Sequence, residues 1–450
     1  MPGAQTRFRI GCGAGFSGDR LDAAVLLAER GELDWLALEC LAERTIALAQ
    51  LRRRKNADEG FDPQLRRRME ALLPIACRSG MRIITNMGAA NPLAAGQAIV
   101  ELAARLGLRI RIAVVTGDDV LDRLDLCTRA METQRPLFEH GPVVSANAYV
   151  GADAILEAIE SGAEVIVTGR VADPSLFVAP IAHRFGWAMD GWDHLARATC
   201  IGHLLECAGQ ICGGYYADPG RKEIPDMAHL GFPYAEVTTD GVATIGKVDG
   251  TGGRITLATV KEQLLYEVTN PFGYVTPDVI ADFSNVALEE VARDRVVVSG
   301  ARGKPRPSEL KVSVGYLAGF VGEGEIGYAG RNAHGRAELA GRIVEERLAS
   351  RFDALRIDLV GVSSLHGRAL DPEARPYEVR LRVAARAPTS EQAALIGEEV
   401  EALYTNGPAG GGGARSRVYE QVGIVSSLIQ RRDVVSRVTV LGSKSHAEAL

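Results

Sequence analysis

The chain has 450 residues, 46% of them hydrophobic and 24% charged; 51 basic and 57 acidic side chains give a formal net charge of −6. That length exceeds what one hydrophobic core usually serves and predicts two domains. The acidic balance argues against a general nucleic-acid binder, and no apolar run approaches the roughly 20 residues that span a bilayer. Seven scattered cysteines without a CxxC spacing suggest reduced thiols rather than a disulfide framework or a zinc ribbon. The N-terminus lacks the apolar stretch of a secretory signal, so a cytoplasmic location is expected.

In chain order, short apolar runs alternate with helical patterns. The runs are "RFRIGC" (7–12), "LDWLALEC" (33–40), "MRIITNMG" (81–88), "RIRIAVVTGDD" (109–119), "VVSANAY" (143–149) and "EVIVTGR" (164–170). Between them lie Ala/Leu/Glu-rich stretches such as "LDAAVLLAERG" and "GQAIVELAARLG", several closing on Gly as helix C-termini do. This alternation predicts an α/β fold: over residues 1–210, a parallel, Rossmann-like, doubly wound sheet with helices on both faces. A (β/α) barrel is the alternative, two units short unless the next segment supplies them. Residues 211–307 read as an irregular and β-hairpin connecting region. Over 308–450 the order strand, helix, strand, strand, helix, strand predicts an α+β domain, ferredoxin-like βαββαβ, with "SRVTVLG" as its closing strand. The basic run Arg52–Lys55 reads as a solvated helix face.

The strand ends turn polar at Glu39, Thr85-Asn86, Asp118-Asp119, Ser145-Asn147 and Thr168-Gly169-Arg170. In a parallel sheet these C-terminal ends share one edge, where ligands bind. The stretch "GAGFSG" from Gly13 to Gly18 fits G-x-G-x-x-G, and Glu39 follows Gly18 by 21 residues, as a ribose-binding acid would. Against a dinucleotide stand Arg7 and Arg9 in the strand and Asp19 at the helix start, where a carboxylate takes the place of an anion. Three readings stay open: a nicotinamide or flavin loop, a plain tight turn, or another ligand loop built from Gly13, Gly15, Ser17, Gly18, Asp19 and Arg20.

Other constellations add candidates. Asn91-Pro92 reads as a helix cap, whereas Asn86 and Gly88 have no such structural duty. Arg170 suits a bidentate carboxylate or phosphate, or an internal pair with Asp173. Cys200, His203 and Cys207 share a helix face with Glu206 beside them. Zinc, an acid/base pair of His203 and Glu206, or a packed histidine all fit. Five glycines within 407–413, near Arg415 and Arg417, read as a lid, an oligomer contact or an anion nest.

Together these motifs resemble the AtuA-like, acyclic terpene utilisation family. The likeness rests on "GFSGDR" (15–20), "ECLAERT" (39–45), "TNMGAANP" (85–92), "VTGDD" (115–119), "SANAYVGA" (145–152) and "VTGRVADPS" (167–175). It continues through "GHLLECAGQICGGYYAD" (202–218), "TPDVIADFS" (276–284) and "TNGPAGGGG" (405–413), so it covers nearly the whole chain. The extra C-terminal ferredoxin-like domain of some longer members is not expected here. The resemblance implies bacterial breakdown of branched, terpene-like acids through acyl-CoA thioesters, but supplies no reaction and no catalytic residue.

The leading expectation from these readings is a hydratase- or lyase-type enzyme acting on a branched acid or acyl-CoA. Asp19, Asp118, His203 and Glu206 are its candidate proton-moving groups. Gly13, Gly15, Ser17, Gly18, Arg20, Glu39, Asn86, Gly88, Asn147, Arg170 and Asp173 are its candidate ligand-binding residues. No metal and no obligatory cofactor is expected, and the partners are a small molecule and further copies of the chain, not nucleic acid or membrane. The alternatives are an accessory subunit of an acyl-CoA carboxylase or hydratase and an NAD(P)-dependent oxidoreductase.

Overall fold

The structure is a computed structural model that describes residues 7–367 and 376–442. It divides into two units: Met1–Leu137, Val144–Gly315 and Ile424–Leu450 form the first, and Phe138–Val143 and Tyr316–Gly423 the second. Among the described residues it is a mixed α/β protein with ten α-helices, one large mixed sheet and further antiparallel sheets.

The first unit begins β1 (Phe8–Cys12), α1 (Leu21–Arg30), β2 (Trp35–Leu38), α2 (Glu43–Lys55), α3 (Leu65–Ser79), β3 (Arg82–Thr85), α4 (Pro92–Arg105) and β4 (Arg111–Thr116). It continues β5 (Val143–Ala148), α5 (Asp153–Glu160), β6 (Val165–Thr168), α6 (Ser175–Phe185) and α7 (Trp192–Leu205). Local chemistry sets the helix ends. Asn91 caps α4 by accepting from the Ala94 N–H at 3.3 Å, with Pro92 at the first helical position, as the sequence predicts. Gly80 ends α3 at φ 76°, a left-handed conformation suited to glycine. The Arg52–Lys55 run closes α2, where cations complement the helix dipole; Arg53 donates to the Ala90 carbonyl at 2.8 Å.

After α7 come β7 (Pro233–Val237), β8 (Ala243–Lys247), α8 (Leu257–Leu265), β9 (Tyr274–Val275), β10 (Ile280–Asp282), β11 (Ala287–Ala292), β12 (Arg295–Ser299) and β13 (Arg302–Lys304). The chain then runs β14 (Glu309–Ala329), α9 (Ala333–Leu348), β15 (Leu355–Val360), β16 (Glu378–Ala387), α10 (Ser390–Asn406), β17 (Gly412–Gln430) and β18 (Arg437–Gly442). "GFPYAEV", expected to be irregular, forms β7: its residues pair with both β1 and β8.

The large sheet has the order β11-β12-β8-β7-β1-β2-β3-β6-β4-β18. From β1 to β4 along this order neighbouring strands are parallel; the pairings of β7 with β1 and of β18 with β4 are antiparallel. Two expectations are corrected. "VVSANAY" does form a strand, β5, but it pairs with β14 rather than joining the parallel set. No α-helix lies between β4 and β5, and a parallel crossover normally needs one. "SRVTVLG" forms β18, but it closes the large sheet against β4, with Arg437 opposite Thr116 and Gly442 opposite Arg111.

β1 carries Arg9 because the sheet switches direction there. Arg9 is buried, stands opposite Glu236 on β7 and pairs with its carboxylate, and lies 4.3 Å from the Tyr234 ring centroid. A buried cation so paired is compatible with a central strand. The main core of this unit includes Ile10, Leu36, Ile84, Val114, Ile166 and Phe177, and a smaller separate cluster holds Leu41, Ile46, Ala49, Ala89 and Ala90.

The second unit has its own core, including Ile326, Tyr328, Val344, Leu381 and Ile396. Its sheet order is β15-β16-β14-β17, with α9 and α10 contributing Ala340, Val344, Ile396 and Val400 to the buried side. The fourth strand is β17, not the expected "SRVTVLG". The loop 407–411 links α10 to it, with Gly410 at φ 72°.

Candidate functional site

A cavity of about 1210 Å³ opens in the first unit, at the strand-end edge of the parallel set. Glu39 follows β2, Arg170 and Asp173 follow β6, and Glu43 starts α2. Tyr149 follows β5, Glu206 and Cys207 follow α7, and Lys311 comes from β14. Apolar lining includes Phe16, Met131, Met227, Leu230, Tyr266 and Tyr274. Wide apolar walls with a few convergent polar groups are the usual make-up of a small-molecule site.

Arg170 organises the polar part. It is 1% exposed. Its Nη1 donates to the Leu41 carbonyl, its Nη2 lies 2.9 Å from Asp173 Oδ1, and its guanidinium sits 4.0 Å from the centre of the Tyr149 ring. The Tyr149 hydroxyl donates to Glu43, and Lys311 Nζ stands 3.2 Å from the same carboxylate. Burial opposes ionisation of Glu43, yet the Tyr149 hydroxyl and the Arg170 charge hold its pKa down at about 2.

Glu39 and Asp173 move the opposite way. Burial pushes Glu39 well above the carboxylate range, with Asp173 adding repulsion. Burial raises Asp173 to about 7; Arg170 opposes this and the Glu206 charge adds to it. The wall therefore carries an anion fixed by its partners beside carboxyls able to hold protons near neutrality, the division of labour that acid/base chemistry needs.

Glu206 has a polar support. His203 Nδ1 lies 2.9 Å from Glu206 Oε1, and His203 Nε2 lies 3.3 Å from the Leu264 carbonyl. A carbonyl only accepts, so Nε2 carries hydrogen and Nδ1 shares a proton position with Glu206. Glu206 Oε2 is buried and has no hydrogen-bond partner. His203 itself is buried, flanked by Tyr274 and stacked on Phe283, and is not part of the cavity lining.

Of the residues predicted from sequence, Gly15, Asp19, Arg20, Glu39, Arg170, Asp173 and Glu206 line this one cavity. Gly13, Ser17, Gly18, Asn86, Gly88, Asp118, Asn147 and His203 do not. Several of these support the wall. Asn86 donates to Glu39 Oε1 at 2.9 Å and accepts from the Cys40 N–H at 2.8 Å. Asp118 accepts from the Arg170 N–H at 2.9 Å and from Asn147 at 2.8 Å, so Asp118 and Asn147 position Arg170 from behind. Gly88 packs against the Thr168 carbonyl, where a Cβ would collide. Glu43, Tyr149, Lys311 and Tyr274 line the cavity and are not singled out from sequence; Cys207, one of the helix-face cluster with Cys200 and His203, lines it too.

The glycine loop is shaped by close packing rather than by left-handed backbone, since Gly11, Gly13, Gly15 and Gly18 all lack positive φ. A Cβ on Gly15 would stand 2.5 Å from the Cys207 carbonyl carbon. The Gly15 N–H is donated to Asp19 Oδ2 at 2.9 Å, so Asp19 occupies a donor that a pyrophosphate would use.

The model of the acyclic terpene utilisation family protein AtuA matches this chain over residues 8–440. The chain belongs to that family. No curated protein and no solved structure matches it. Membership of the acyclic terpene utilisation family marks a protein related to terpene use in bacteria. The stretches that carry the family likeness converge on the cavity. "GFSGDR" gives Gly15, Phe16, Asp19 and Arg20, and "ECLAERT" gives Glu39 and Glu43. "SANAYVGA" gives Tyr149, "VTGRVADPS" gives Arg170 and Asp173, and "GHLLECAGQICGGYYAD" gives Glu206 and Cys207.

Asp118 yields a pH prediction. Burial raises its pKa from 3.8 to about 6 in the folded protein. A carboxyl raised on folding contributes stability that is fully present below the unfolded value of 3.8 and lost as pH rises through about 6. Urea unfolding of Asp118→Asn should therefore lose less stability between pH 4.5 and 7 than the unaltered protein does. Parallel pH profiles would show that Asp118 does not titrate in this window.

Proposed function

We propose that this protein binds a branched, apolar-tailed acid or its acyl thioester in the large cavity and catalyses addition or elimination by proton transfer, as a hydratase or lyase does. The observation that carries this reading is the set Glu39, Glu43, Asp173 and Glu206 around Arg170 on the wall of an aromatic- and methionine-lined cavity. Glu206 Oε2 is a buried oxygen with no hydrogen-bond partner, as expected of a group that meets a substrate. In this reading Glu206, backed by His203, takes or gives the substrate proton, and Asp173 serves as its counterpart. Arg170 and Lys311 offset the negative charge that develops on a carboxyl or thioester oxygen.

The finer fold reading follows from the order of elements. We read the parallel set as Rossmann-like and doubly wound. The order β15-β16-β14-β17 supports a ferredoxin-like second domain. A cytoplasmic, self-associating protein completes the proposal.

Thermal-shift titration tests the binding step. A branched enoyl thioester of N-acetylcysteamine should raise the unfolding temperature, a straight short-chain ester should raise it less, and NAD should leave it unchanged. Stabilisation by NAD with none by the thioester would sink this reading and favour an oxidoreductase.

A further inference from the structure

A second, smaller cavity of about 370 Å³ lies against the first turns of α1 and α3. Its lining includes Asp19, Arg20 and Asp22 from the start of α1, and Gln64, Arg67 and Arg68 from the start of α3. Asp19 and Arg20 also line the large cavity, so the two spaces share that segment as a wall.

Three features of this cavity favour an anion. First, the N-cap residue of α1, Arg20, makes no capping hydrogen bond, so the first-turn N–H groups of α1 have no side-chain cap. At α3, Asp62 takes the Gln64 N–H on Oδ1 at 2.7 Å and the Leu65 N–H on its carbonyl at 3.1 Å. Second, Arg68 is 2% exposed. Its Nη2 donates to the carbonyls of Ser17 at 3.2 Å and Asp19 at 2.6 Å, while its Nε and Nη1 have no hydrogen-bond partner. A buried guanidinium with spare donors is costly unless something else completes it. Third, the first turn of α3 contains no acid and carries Arg66, Arg67 and Arg68. Cations there work against the helix dipole, so the fold gives up stability to place them. Arg67 is exposed and has no ion-pair partner among the described residues.

Carboxylates are present too. Both Asp19 oxygens are occupied by backbone N–H groups, from Gly15 at 2.9 Å and Arg20 at 2.8 Å. Asp22 lines the cavity and is exposed, and the buried Asp62 balances part of the Arg68 charge. Among the side chains lining the cavity, three arginines face two aspartates.

We propose that this second cavity binds a phosphate group, carried on the polar tail of the ligand whose apolar part fills the large cavity. The proposal rests on reading the large cavity as the site of an apolar-tailed substrate. The tail crosses the Asp19–Arg20 segment. Arg67, Arg68 and the N–H groups of the α1 first turn hold the phosphate oxygens, with Gln64 as a further donor.

Calorimetric titration of the full chain with coenzyme A, pantetheine and inorganic phosphate tests this, beside a phosphate-free branched thioester of N-acetylcysteamine. Coenzyme A should bind at least tenfold more tightly than pantetheine, an advantage that shrinks at high salt. Arg67→Glu, an exposed change, should abolish that advantage and leave the phosphate-free thioester untouched. If inorganic phosphate binds the unaltered protein and not Arg67→Glu, while coenzyme A has no advantage, the site takes free phosphate and the tail assignment is overturned. Equal binding of all phosphate ligands by the unaltered protein and Arg67→Glu overturns the site altogether. Arg68→Gln provides a second variant, read by the same ratio. Failure of the phosphate-free thioester to bind, with the coenzyme A advantage intact, would instead overturn the reading of the large cavity.

Discussion

Arg170→Met should destabilise the fold by about 3–5 kcal/mol, the cost of removing one member of a buried charge pair. The size follows from what Arg170 holds. Its guanidinium joins Leu41, Asp173 and Tyr149, and the Glu39 and Glu43 charges act on it as well. Without it these buried carboxyls lose their main counter-charge. They can escape only by taking up protons, so the loss should be larger at pH 8 than at pH 5. Arg170→Lys should recover little, because an ammonium cannot stack flat on Tyr149 while reaching both Leu41 and Asp173. Adding Asp173→Asn to Arg170→Met should restore part of the stability, because one orphaned charge disappears with its partner. Urea unfolding at the two pH values measures all three variants. A loss below about 1 kcal/mol for Arg170→Met would mean that water or rearrangement replaces it, and that the cluster is not a dry, preorganised site.

The parallel set was legible because its strands are short apolar runs followed by polar residues. Glu39 and Arg170 stood out for that reason. β5 resembles those strands in composition, yet its partner is β14, which begins more than 150 residues later. Composition cannot choose between two partners; the missing crossover helix after β4 was the available signal. β18 misled in the same way. As a β-branched strand near the end of the chain it suits any edge, and the Gly-rich start of β17 hid the strand that completes the second unit. Glu43 was overlooked because an acid in the first turn of a helix already has a structural role there. Tyr149 passed as an apolar strand end, and Lys311 reaches the cavity from a segment read only as an alternating strand. Asn86, Asp118 and Asn147 were found because they are polar at strand ends. The sequence could not tell that they brace the wall rather than line it, since that depends on side-chain direction.

Glu206→Gln should reduce proton exchange on a bound substrate by about 100- to 10,000-fold, the usual range for loss of a general acid or base. Glutamine keeps the shape and can donate its amide N–H to His203 Nδ1, so stability should hardly change; what disappears is an oxygen that can take up and release a proton. The readout need not await the natural reaction. A branched 2-enoyl thioester incubated with the protein in D2O should gain deuterium beside the carbonyl, or water across the double bond, as followed by NMR. Asp173→Asn should impair the same exchange, because the proton taken at one face must be replaced from the other. His203→Gln should have a smaller effect and shift the pH profile rather than abolish turnover, since His203 acts through Glu206 and lines none of the cavity. The His203 result separates two mechanisms. If His203→Gln is as damaging as Glu206→Gln while binding is intact, the imidazole is the proton reservoir and Glu206 its conduit. If Glu206→Gln exchanges at the unaltered rate, the carboxyl cluster exists to hold Arg170 in place, and the protein binds its ligand without transforming it.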